Sequence, residues 1–267
     1  MCGRYILISP PDAIRRAFAY SDQPNFPPRY NVAPTQPVPV VLLDQGARRF
    51  QLMRWGLLPA WVKDPRTFSL VINARAETVL DKPAFRNAMK RRRCLLPADG
   101  YYEWQPTPSR KRPVFIRPRD GQPIAFAGLA ETWVGPNGEE LDTVAIITAP
   151  ASPDLAELHH RVPVTIAPAD FDRWLDGSIC DAQEAATLLV APPEGIFVWH
   201  EVSTAVNRVA NDDDRLIVPI TPEEAAAEAE AARKPRARAA VSDASSQPVK
   251  RKAAGRSRKD DGQGSLF

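Results

Sequence analysis

The chain has 267 residues, of which 44% are hydrophobic and 25% are charged, as is ordinary for a globular protein. No apolar run approaches the roughly 20 residues of a membrane span, and the N-terminus does not resemble a signal peptide, so we expect a cytoplasmic protein. The three cysteines, Cys2, Cys94 and Cys180, provide no disulfide framework, and no spacing of Cys or His residues indicates a metal or other cofactor.

The net charge of +3 is unevenly distributed. From Arg233 to the end the chain carries ten Lys or Arg against three Asp or Glu, a net charge of +7, which leaves −4 for residues 1–232. A domain that binds nucleic acid over its whole surface would be basic throughout. Any DNA contact of the folded part must therefore come from a local patch, while the tail supplies long-range attraction.

Short apolar runs between turns predict strands, and periodic apolar residues predict helices. The predicted strands are Val38–Leu43, Arg49–Arg54, Arg93–Pro97, Val114–Arg117, Ile124–Leu129 and Thr143–Thr148. The predicted helices are Pro11–Tyr20, Pro83–Arg91, Ala167–Leu175 and Asp181–Val190. Most of these strands follow one another with no helix between them, which indicates an α+β fold with a largely antiparallel sheet. The basic run at residues 90–93 is predicted to be a solvated helix end, where the helix dipole favours positive charge.

Residues 1–222 are predicted to form one domain, because no Gly/Ser-rich linker divides them. Glu223–Ala232 is an Ala/Glu stretch that we expect to form a fraying helix. From Arg233 to Gly264 almost nothing is apolar beyond Ala and Val, so burial cannot offset the entropy of ordering. Residues 223–267 are therefore predicted to be a disordered tail, first rich in Ala and Glu and then in Lys and Arg.

Cys2 is the first residue that suggests chemistry. Once Met1 is removed, Cys2 carries a free α-amine beside its thiol, and both groups are partly deprotonated near neutral pH. Together they suit an aldehyde, because the amine forms a Schiff base and the thiol then closes a five-membered thiazolidine ring. Both groups belong to one residue, which gives the closure a large proximity advantage.

Seven motifs follow one another in an order and spacing that resemble the SOS-response-associated peptidase (SRAP) family, from residue 1 to about 220. They are Met1–Arg4, Arg29–Thr35, Trp55–Trp61, Asn73–Thr78, Arg93–Trp104, His159–Pro163 and Val202–Asn207. The resemblance implies a single SRAP-like domain with a curved sheet and flanking helices. Members of the family shield abasic sites in single-stranded DNA, so it also implies a DNA-damage function.

Four catalytic positions are implied by this resemblance. Cys2 matches the nucleophile that follows Met, and Asn73 matches the asparagine that holds the terminal amine. Glu103 matches the glutamate between two aromatic residues, and His159 matches the histidine that begins His-x-Arg-x-Pro. The chain departs from the family at Val162, where methionine is common, and we expect Val162 to pack in the interior.

The chemistry of these residue types agrees with the implied roles. An abasic sugar is mostly a closed hemiacetal, so its ring must open before an aldehyde appears. His159 titrates in a range suited to supplying or relaying a proton. The aromatic residues around Glu103 should raise its pKa by desolvation, and Asn73 can accept a hydrogen bond from the α-amine while staying neutral.

The predicted DNA contacts are Arg4, Asn31, Pro34, Trp61 and Arg75. Arg4 and Arg75 flank the catalytic motifs and suit phosphates, which fix the register of the strand without reading its sequence. Trp61 and Pro34 match an apolar wedge of the family that stacks against bases next to the lesion, a contact that tolerates any base.

The last residues of the chain carry a second resemblance, which is independent of the family. Gln263, Leu266 and Phe267 match the short Gln-x-[Ser/Asp]-Leu-Phe peptide with which bacterial replication and repair proteins bind the DNA sliding clamp. Leu266 and Phe267 suit an apolar pocket, and Gln263 suits a directed hydrogen bond at its edge. We therefore predict two partners, abasic single-stranded DNA and the clamp. We expect the protein to be a monomer that is associated with the nucleoid.

The sequence leaves three alternatives open. Met1-Cys2-Gly3 also begins class II glutamine amidotransferases, in which the terminal cysteine attacks a glutamine amide. A thiol protease would need the thiol but no free α-amine, and its activity here could be limited to removal of Met1 from its own chain. A non-enzymatic sensor would bind single strands without bonding to them. Strand cleavage by a lyase side activity is a further outcome that the Schiff base allows.

Overall fold

In a computed structural model of the protein, residues 2–108 and 110–233 are described, and their strands form two sheets. The strands are β1 (Tyr5–Leu7), β2 (Arg29–Val32), β3 (Pro37–Asp44), β4 (Ala47–Trp55), β5 (Asn73–Arg75), β6 (Arg93–Ala98), β7 (Gly100–Pro106), β8 (Lys111–Pro118), β9 (Ile124–Val134), β10 (Glu140–Pro150), β11 (Arg161–Pro163) and β12 (Phe197–Glu201). The helices are α1 (Pro11–Phe18), α2 (Arg86–Arg91), α3 (Pro153–Ala156), α4 (Phe171–Leu175), α5 (Ala182–Ala186) and α6 (Pro222–Arg233). No helix among these residues is long and apolar enough to cross a membrane.

The first sheet has five antiparallel strands in the order β12-β8-β7-β1-β2. The short strand β1 is therefore enclosed on both sides, with Tyr5 opposite Tyr101 of β7 and Val32 of β2. Tyr5 and Tyr101 belong to the large buried cluster that continues into the second sheet, whereas Ile6 and Tyr102 face a smaller cluster on the other side. The beginning of the chain is thus part of the interior.

The second sheet closes on itself. Its strands pair in the ring β10-β4-β3-β6-β9-β10, and β5 and β11 attach to β10. The pairings are antiparallel except those of β10 with β4 and with β5, which are parallel. A closed ring leaves no unpaired edge between its members, and the buried side chains of Val40, Leu96 and Ile146 share one face of it. The predicted α+β fold with a largely antiparallel sheet is confirmed.

Local sequence explains why the predicted strands form. In the β3–β4 hairpin, Gln45 and Gly46 both have positive φ (49° and 77°), the conformation that a tight two-residue turn requires. All six predicted strands lie within observed ones. Six further strands, β1, β2, β5, β7, β11 and β12, were missed, because they are short or interrupted by polar residues.

The predicted helices are present but shorter. α1 ends at Phe18 because Ala19 adopts a left-handed conformation (φ 53°), and α2 begins only at Arg86. The predicted helix over residues 167–175 is divided into a 3-10 turn and α4. These differences lie at helix ends, where tertiary contacts decide how far the helix continues.

The prediction of a solvated basic run at residues 90–93 is wrong for Arg93. Lys90 and Arg91 are exposed, but Arg93 is 3% exposed and begins β6. Its guanidinium donates to the carbonyl oxygens of Met89 at 3.0 Å and Cys180 at 2.8 Å, and also to that of Trp174. Arg93 therefore joins α2, α4 and the residues after α4 to the second sheet.

The final described element, α6, is attached to the end of the first sheet. The Glu228 carboxylate accepts hydrogen bonds from the Ser203 hydroxyl and from the Thr204 amide, the latter at 3.0 Å. Arg110 donates to the Ala225 carbonyl at 3.1 Å. The Ala/Glu stretch is thus helical, while the predicted disordered tail beyond it and the clamp peptide lie outside the described residues.

Candidate active site

The start of the chain meets β5 at Cys2. Cys2 is fully buried, and its backbone carbonyl accepts a hydrogen bond of 2.8 Å from Nδ2 of Asn73. The other polar atom of this side chain, Oδ1 of Asn73, is buried and has no hydrogen-bond partner among residues 2–108 and 110–233. Buried polar atoms normally have partners, so Asn73 offers an acceptor to a donor that arrives beside Cys2.

The position of Asn73 is set by its strand. β5 is parallel to β10, with Asn73 opposite Ile146 and Arg75 opposite Thr148. Ala74 is buried, and its carbonyl accepts a hydrogen bond of 3.3 Å from the Thr148 hydroxyl. Since side chains alternate along a strand, Asn73 and Arg75 share the other face, where Asn73 reaches the N-terminal residues and Arg75 is exposed.

Glu103 lies in β7, the strand that pairs with β1. The register that places Tyr5 opposite Tyr101 brings Glu103 beside the start of β1. Glu103 is 5% exposed, and burial raises its pKa, while the positive charge of the chain's amino terminus opposes this shift. The raised pKa predicted from the neighbouring aromatic residues is confirmed. The direction of this shift favours the protonated form of Glu103.

The thiol of Cys2 is held in its protonated form. Burial and, next, the charge of Glu103 raise the pKa of Cys2 to about 12. The amino terminus and a hydrogen bond from the Arg4 amide act in the opposite direction. The resting sulfur therefore carries its proton, and a thiolate would form only where a base removes it.

His159 lies between α3 and β11 and is neutral. Its Nδ1 lies 3.2 Å from the Arg161 carbonyl oxygen, to which it donates in the tautomer that leaves the lone pair on Nε2, and its ring stacks on that of His160 at 4.2 Å. Desolvation, followed by the charge of the amino terminus, lowers the pKa of His159 to about 4. The expectation that His159 titrates near neutral pH is wrong, because burial disfavours the imidazolium. At pH 7 this ring is therefore uncharged.

His159 is on the same side of the molecule as Glu103. Gln105, two residues after Glu103, donates to the Glu157 carbonyl at 3.4 Å, two residues before His159. The positive charge of Lys111 lowers the pKa of both Glu103 and His159. The structure thus gathers the four predicted catalytic residues where the start of β1 meets β5, β7 and the segment before β11.

An ion pair between buried Arg161 and half-exposed Glu77 connects the segments that carry Asn73 and His159. Arg161 is 6% exposed and donates to both carboxylate oxygens of Glu77, at 2.7 and 2.9 Å. It also donates to the Thr148 hydroxyl at 3.1 Å. Glu77 follows Asn73 by four residues and Arg161 follows His159 by two, so the pair fixes the spacing of the two catalytic side chains.

Arg4 and Asn31, both predicted DNA contacts, bind each other. Nη1 of Arg4 donates to Oδ1 of Asn31 at 2.6 Å and to the Val206 carbonyl at 2.8 Å, and its guanidinium lies 5.7 Å from the ring centre of Trp104. Asn31 is fully buried and donates to the Asn211 carbonyl at 2.6 Å. A direct contact between the Asn31 side chain and DNA would require these bonds to break.

The other predicted DNA contacts lie at the surface. Trp61 is 59% exposed, with its ring edge-on to Phe68 at 5.7 Å. Arg75 is exposed and Pro34 is partly exposed. Trp61 is therefore not a core residue and presents an aromatic face to solvent, the property that base stacking needs.

Several residues at the site were not predicted from the sequence. Glu77 and Arg161 belong to motifs that were recognised, but nothing in the chain order pairs them. Lys111 comes near through the β7–β8 register, where it is opposite Pro106. Val162 is 2% exposed and packs in the core, as predicted. Within the described ranges, no group of three or more His, Cys, Asp or Glu side chains could hold a metal ion.

The Glu77–Arg161 pair predicts a pH-dependent stability. Hydrogen bonding to Arg161 lowers the pKa of Glu77 to about 2, below the unfolded value of roughly 4.3. The pair therefore stabilises the fold above about pH 4, and this contribution is lost as the pH falls toward 2. Because Glu77 is half exposed, we expect Glu77→Gln to lower the free energy of unfolding at pH 7 by about 1 kcal/mol.

Thermal unfolding between about pH 7 and about pH 2 measures this effect. The matched control is Glu184→Gln, which removes an exposed ion pair with Arg173 and should change the stability little at any pH. If the stability lost in Glu77→Gln stayed the same down to pH 2, the ionised Glu77–Arg161 pair would not be its cause.

Comparison with known proteins places this arrangement in a family. Residues 1–209 match the family described as SOS response associated peptidase (SRAP). The chain is 36% identical over 221 residues to abasic site processing protein YoqW of Bacillus subtilis, covering 81% of this chain and 99% of that protein. It is 33% identical over 233 residues to abasic site processing protein YedK of Escherichia coli, covering 82% of this chain and all of that protein. It is also 34% identical over 264 residues to abasic site processing protein HMCES of Gallus gallus, covering 82% of this chain and 78% of that protein.

Solved structures agree in fold. A crystal structure of a protein from Bacteroides thetaiotaomicron matches with a TM-score of 0.74 at 22% identity, covering 82% of this chain and all of that one. A phage-related protein from Bordetella bronchiseptica matches with a TM-score of 0.62 at 28% identity, covering 75% and 94%. With its sequence matched from residue 1 to 209 and its fold shared, the chain belongs to the SRAP family.

Proposed function

We propose that this protein processes abasic sites in single-stranded DNA by bonding to them covalently through Cys2. The relatives named above as abasic site processing proteins support the substrate. The observation that carries the chemistry is the Asn73 side chain, which binds the Cys2 carbonyl and keeps a second buried atom, Oδ1, without a partner in the described part of the chain. In this proposal that oxygen accepts a hydrogen bond from the α-amine of Cys2 once Met1 has been removed.

Ring opening of the sugar is the first step. Protonated Glu103 gives its proton to the ring oxygen, and neutral His159 takes the proton of the anomeric hydroxyl. The directions of their pKa shifts suit these roles, since the pKa of Glu103 is raised and the pKa of His159 is lowered. His159 therefore acts here as an acceptor, and the products are an aldehyde, a Glu103 carboxylate and a His159 imidazolium.

Capture of the aldehyde follows. The α-amine adds to the carbonyl carbon, the imidazolium returns its proton to the departing oxygen, and water leaves, giving a protonated Schiff base. The Cys2 thiol passes its proton to the Glu103 carboxylate and attacks the imine carbon, while the C=N electron pair moves to nitrogen. The thiazolidine is complete, and Glu103 and His159 are back in their initial states. β-Elimination from the Schiff base is the competing lyase reaction.

The surface around the site suits a single strand. Arg75, exposed at the end of β5, supplies a phosphate contact, and Trp61 with Pro34 supplies an apolar face for bases next to the lesion. Arg4, bound to Asn31 and Val206, holds the segment after β12 next to Trp104. We infer that the protein acts as a monomer on exposed single strands at the nucleoid.

The alternatives differ in measurable ways. A glutamine amidotransferase would release ammonia from glutamine, a thiol protease would cleave other polypeptides, and a non-covalent sensor would release DNA on denaturation. Removal of Met1 is the one peptide cleavage that covalent capture requires, and the thiol beside that bond makes self-processing a consistent route. A complex with abasic DNA that survives boiling in detergent distinguishes covalent capture from all three.

The α-amine should matter as much as the thiol. We expect Cys2→Ala to abolish the detergent-resistant complex, and an N-terminal tag that stays in place to do the same although the thiol is intact. Cys180→Ala, which removes another buried thiol, is the control and should crosslink fully. Intact mass after incubation with an abasic oligonucleotide measures the outcome. Full crosslinking by the tagged protein would overturn the thiazolidine.

Residues that take part in the chemistry should affect the rate of crosslinking, whereas residues that contact the DNA should affect equilibrium binding. Glu103→Gln removes the proton of ring opening, so we expect crosslinking to slow by about 100-fold while equilibrium binding to an unmodified single strand is kept. Arg75→Ala should weaken that binding and reduce the slope of log K against log salt by about 0.7. Arg16→Ala, which removes an exposed arginine in α1, is the control. Equal loss of binding in Glu103→Gln and Arg75→Ala would refute this division.

We also propose that the end of the chain binds the DNA sliding clamp through Gln263, Leu266 and Phe267. These residues lie outside the described part of the chain, and the proposal rests on their sequence. A tether of about 30 residues would keep the domain at a high effective concentration near DNA that passes through the clamp. Its Lys and Arg residues would add salt-sensitive attraction to the same DNA.

Removal of Leu266 and Phe267 should abolish clamp binding and leave crosslinking to a free oligonucleotide unchanged, because the catalytic residues lie far from the end of the sequence. Calorimetric titration with purified clamp compares the full chain with the truncated one. Equal binding by both chains, or binding by neither, would show that the peptide does not engage the clamp.

A further inference from the structure

The helix α6 lies beyond the part of the chain that matches the family. It begins at Pro222, whereas the family match ends at residue 209. Its first turn is closed by a capping box, in which the Thr221 amide donates to the Glu224 carboxylate at 2.9 Å and the Glu224 amide donates to the Thr221 hydroxyl at 3.2 Å. No side chain in the range 222–231 is fully buried, so apolar packing contributes little to the attachment of α6.

Glu228 attaches α6 to the turn that follows β12. Its carboxylate accepts hydrogen bonds from the Ser203 hydroxyl and, at 3.0 Å, from the Thr204 amide. Ser203 is the N-cap of a 3-10 turn over Thr204–Asn207, and its hydroxyl oxygen accepts a hydrogen bond of 3.1 Å from the Ala205 amide. The amides at the beginning of a helical turn need acceptors, and Glu228 supplies one from outside the matched region.

The other end of the 204–207 turn holds the Arg4 side chain. The Val206 carbonyl accepts a hydrogen bond of 2.8 Å from Nη1 of Arg4, and Oδ1 of Asn207 accepts one of 2.8 Å from Nε1 of Trp104. The Arg4 guanidinium lies 5.7 Å from the ring centre of Trp104. The turn therefore orients Arg4 in two ways, directly through Val206 and indirectly through the indole.

Arg4 keeps a donor for a ligand. Its Nε is buried and has no hydrogen-bond partner in the described part of the chain, although buried donors are normally paired. Because Arg4 follows Cys2 by two residues, a lesion bonded to Cys2 brings its flanking phosphates close to this side chain. A phosphate oxygen suits the donor, since hydrogen bonds between guanidinium and phosphate are charge-assisted.

We propose that Glu228 is a positioning residue for DNA binding, which fixes the 204–207 turn and so holds Arg4 in the orientation that binds a phosphate of the single strand. The inference rests on the proposed function and gives α6 a part in binding the strand. Glu228 acts through the turn and needs no contact with DNA. A carboxylate near a polyanion opposes binding by its charge alone, so a positioning role and simple electrostatics predict opposite effects of its removal.

The test uses the full chain and two measurements. One is equilibrium binding to an unmodified single-stranded oligonucleotide, and the other is the rate of crosslinking at increasing concentrations of an abasic one. Glu228→Ala removes both hydrogen bonds, whereas Glu228→Gln keeps an oxygen for the Thr204 amide. The matched control is Glu223→Ala, which removes an exposed carboxylate from the same helix. Arg4→Ala, alone and combined with Glu228→Ala, completes a double-mutant cycle.

We expect Glu228→Ala to weaken binding by about fivefold, the effect of losing one ordinary hydrogen bond. The oligonucleotide concentration at half-maximal crosslinking should rise by the same factor, while the maximal rate stays unchanged because Glu228 takes no part in the proton transfers. Glu228→Gln should bind like the wild type, and Glu223→Ala should bind as tightly or more tightly. In the Arg4→Ala background, Glu228→Ala should cause no further loss.

Three results would overturn the inference while leaving the proposed function standing. Unchanged or tighter binding by Glu228→Ala would show that only its charge matters, and additive losses in the double variant would show that Glu228 does not act through Arg4. A lower maximal rate at an unchanged half-maximal concentration would mean a loss of folded protein and no positioning role. A wild type that binds the single strand but forms no detergent-resistant complex would instead refute covalent capture, and one that does not bind the strand would overturn both.

Discussion

The side-chain amide of Asn73 joins the beginning of the chain to the second sheet, and the arrangement of the site depends on that bond. Its Nδ2 holds the Cys2 carbonyl at 2.8 Å, so the nucleophile's backbone is anchored before any substrate arrives. The anchor requires β1 to lie between β2 and β7 and β5 to lie along β10. Both sheets must therefore be complete before the four catalytic residues can meet.

Burial sets the protonation state of each reacting group. In the folded protein the thiol of Cys2 keeps its proton, the pKa of Glu103 is raised, and His159 is neutral. An apolar interior favours the uncharged form of every group, so desolvation is the first cause in all three cases.

The sequence predicted the elements whose signal is local. The six apolar strands and the raised pKa of Glu103 follow from neighbours along the chain, and motif order is the basis for proposing the four catalytic residues. Closure of the second sheet into a ring was not predictable, because the parallel pairing of β10 with β4 joins residues almost 90 positions apart. The lowered pKa of His159, the burial of Asn31 and the carbonyl bonds of Arg93 were missed for the same reason, since each depends on segments distant in sequence.

The enclosed position of β1 has a consequence for the order of events during synthesis. Cys2 is among the first residues to leave the ribosome, whereas β7, which encloses β1 on one side, is made about 95 residues later. During that interval Met1 is accessible to any processing enzyme. Once the sheets close, Cys2 is fully buried, so its side chain is accessible from solvent only before β7 has paired with β1.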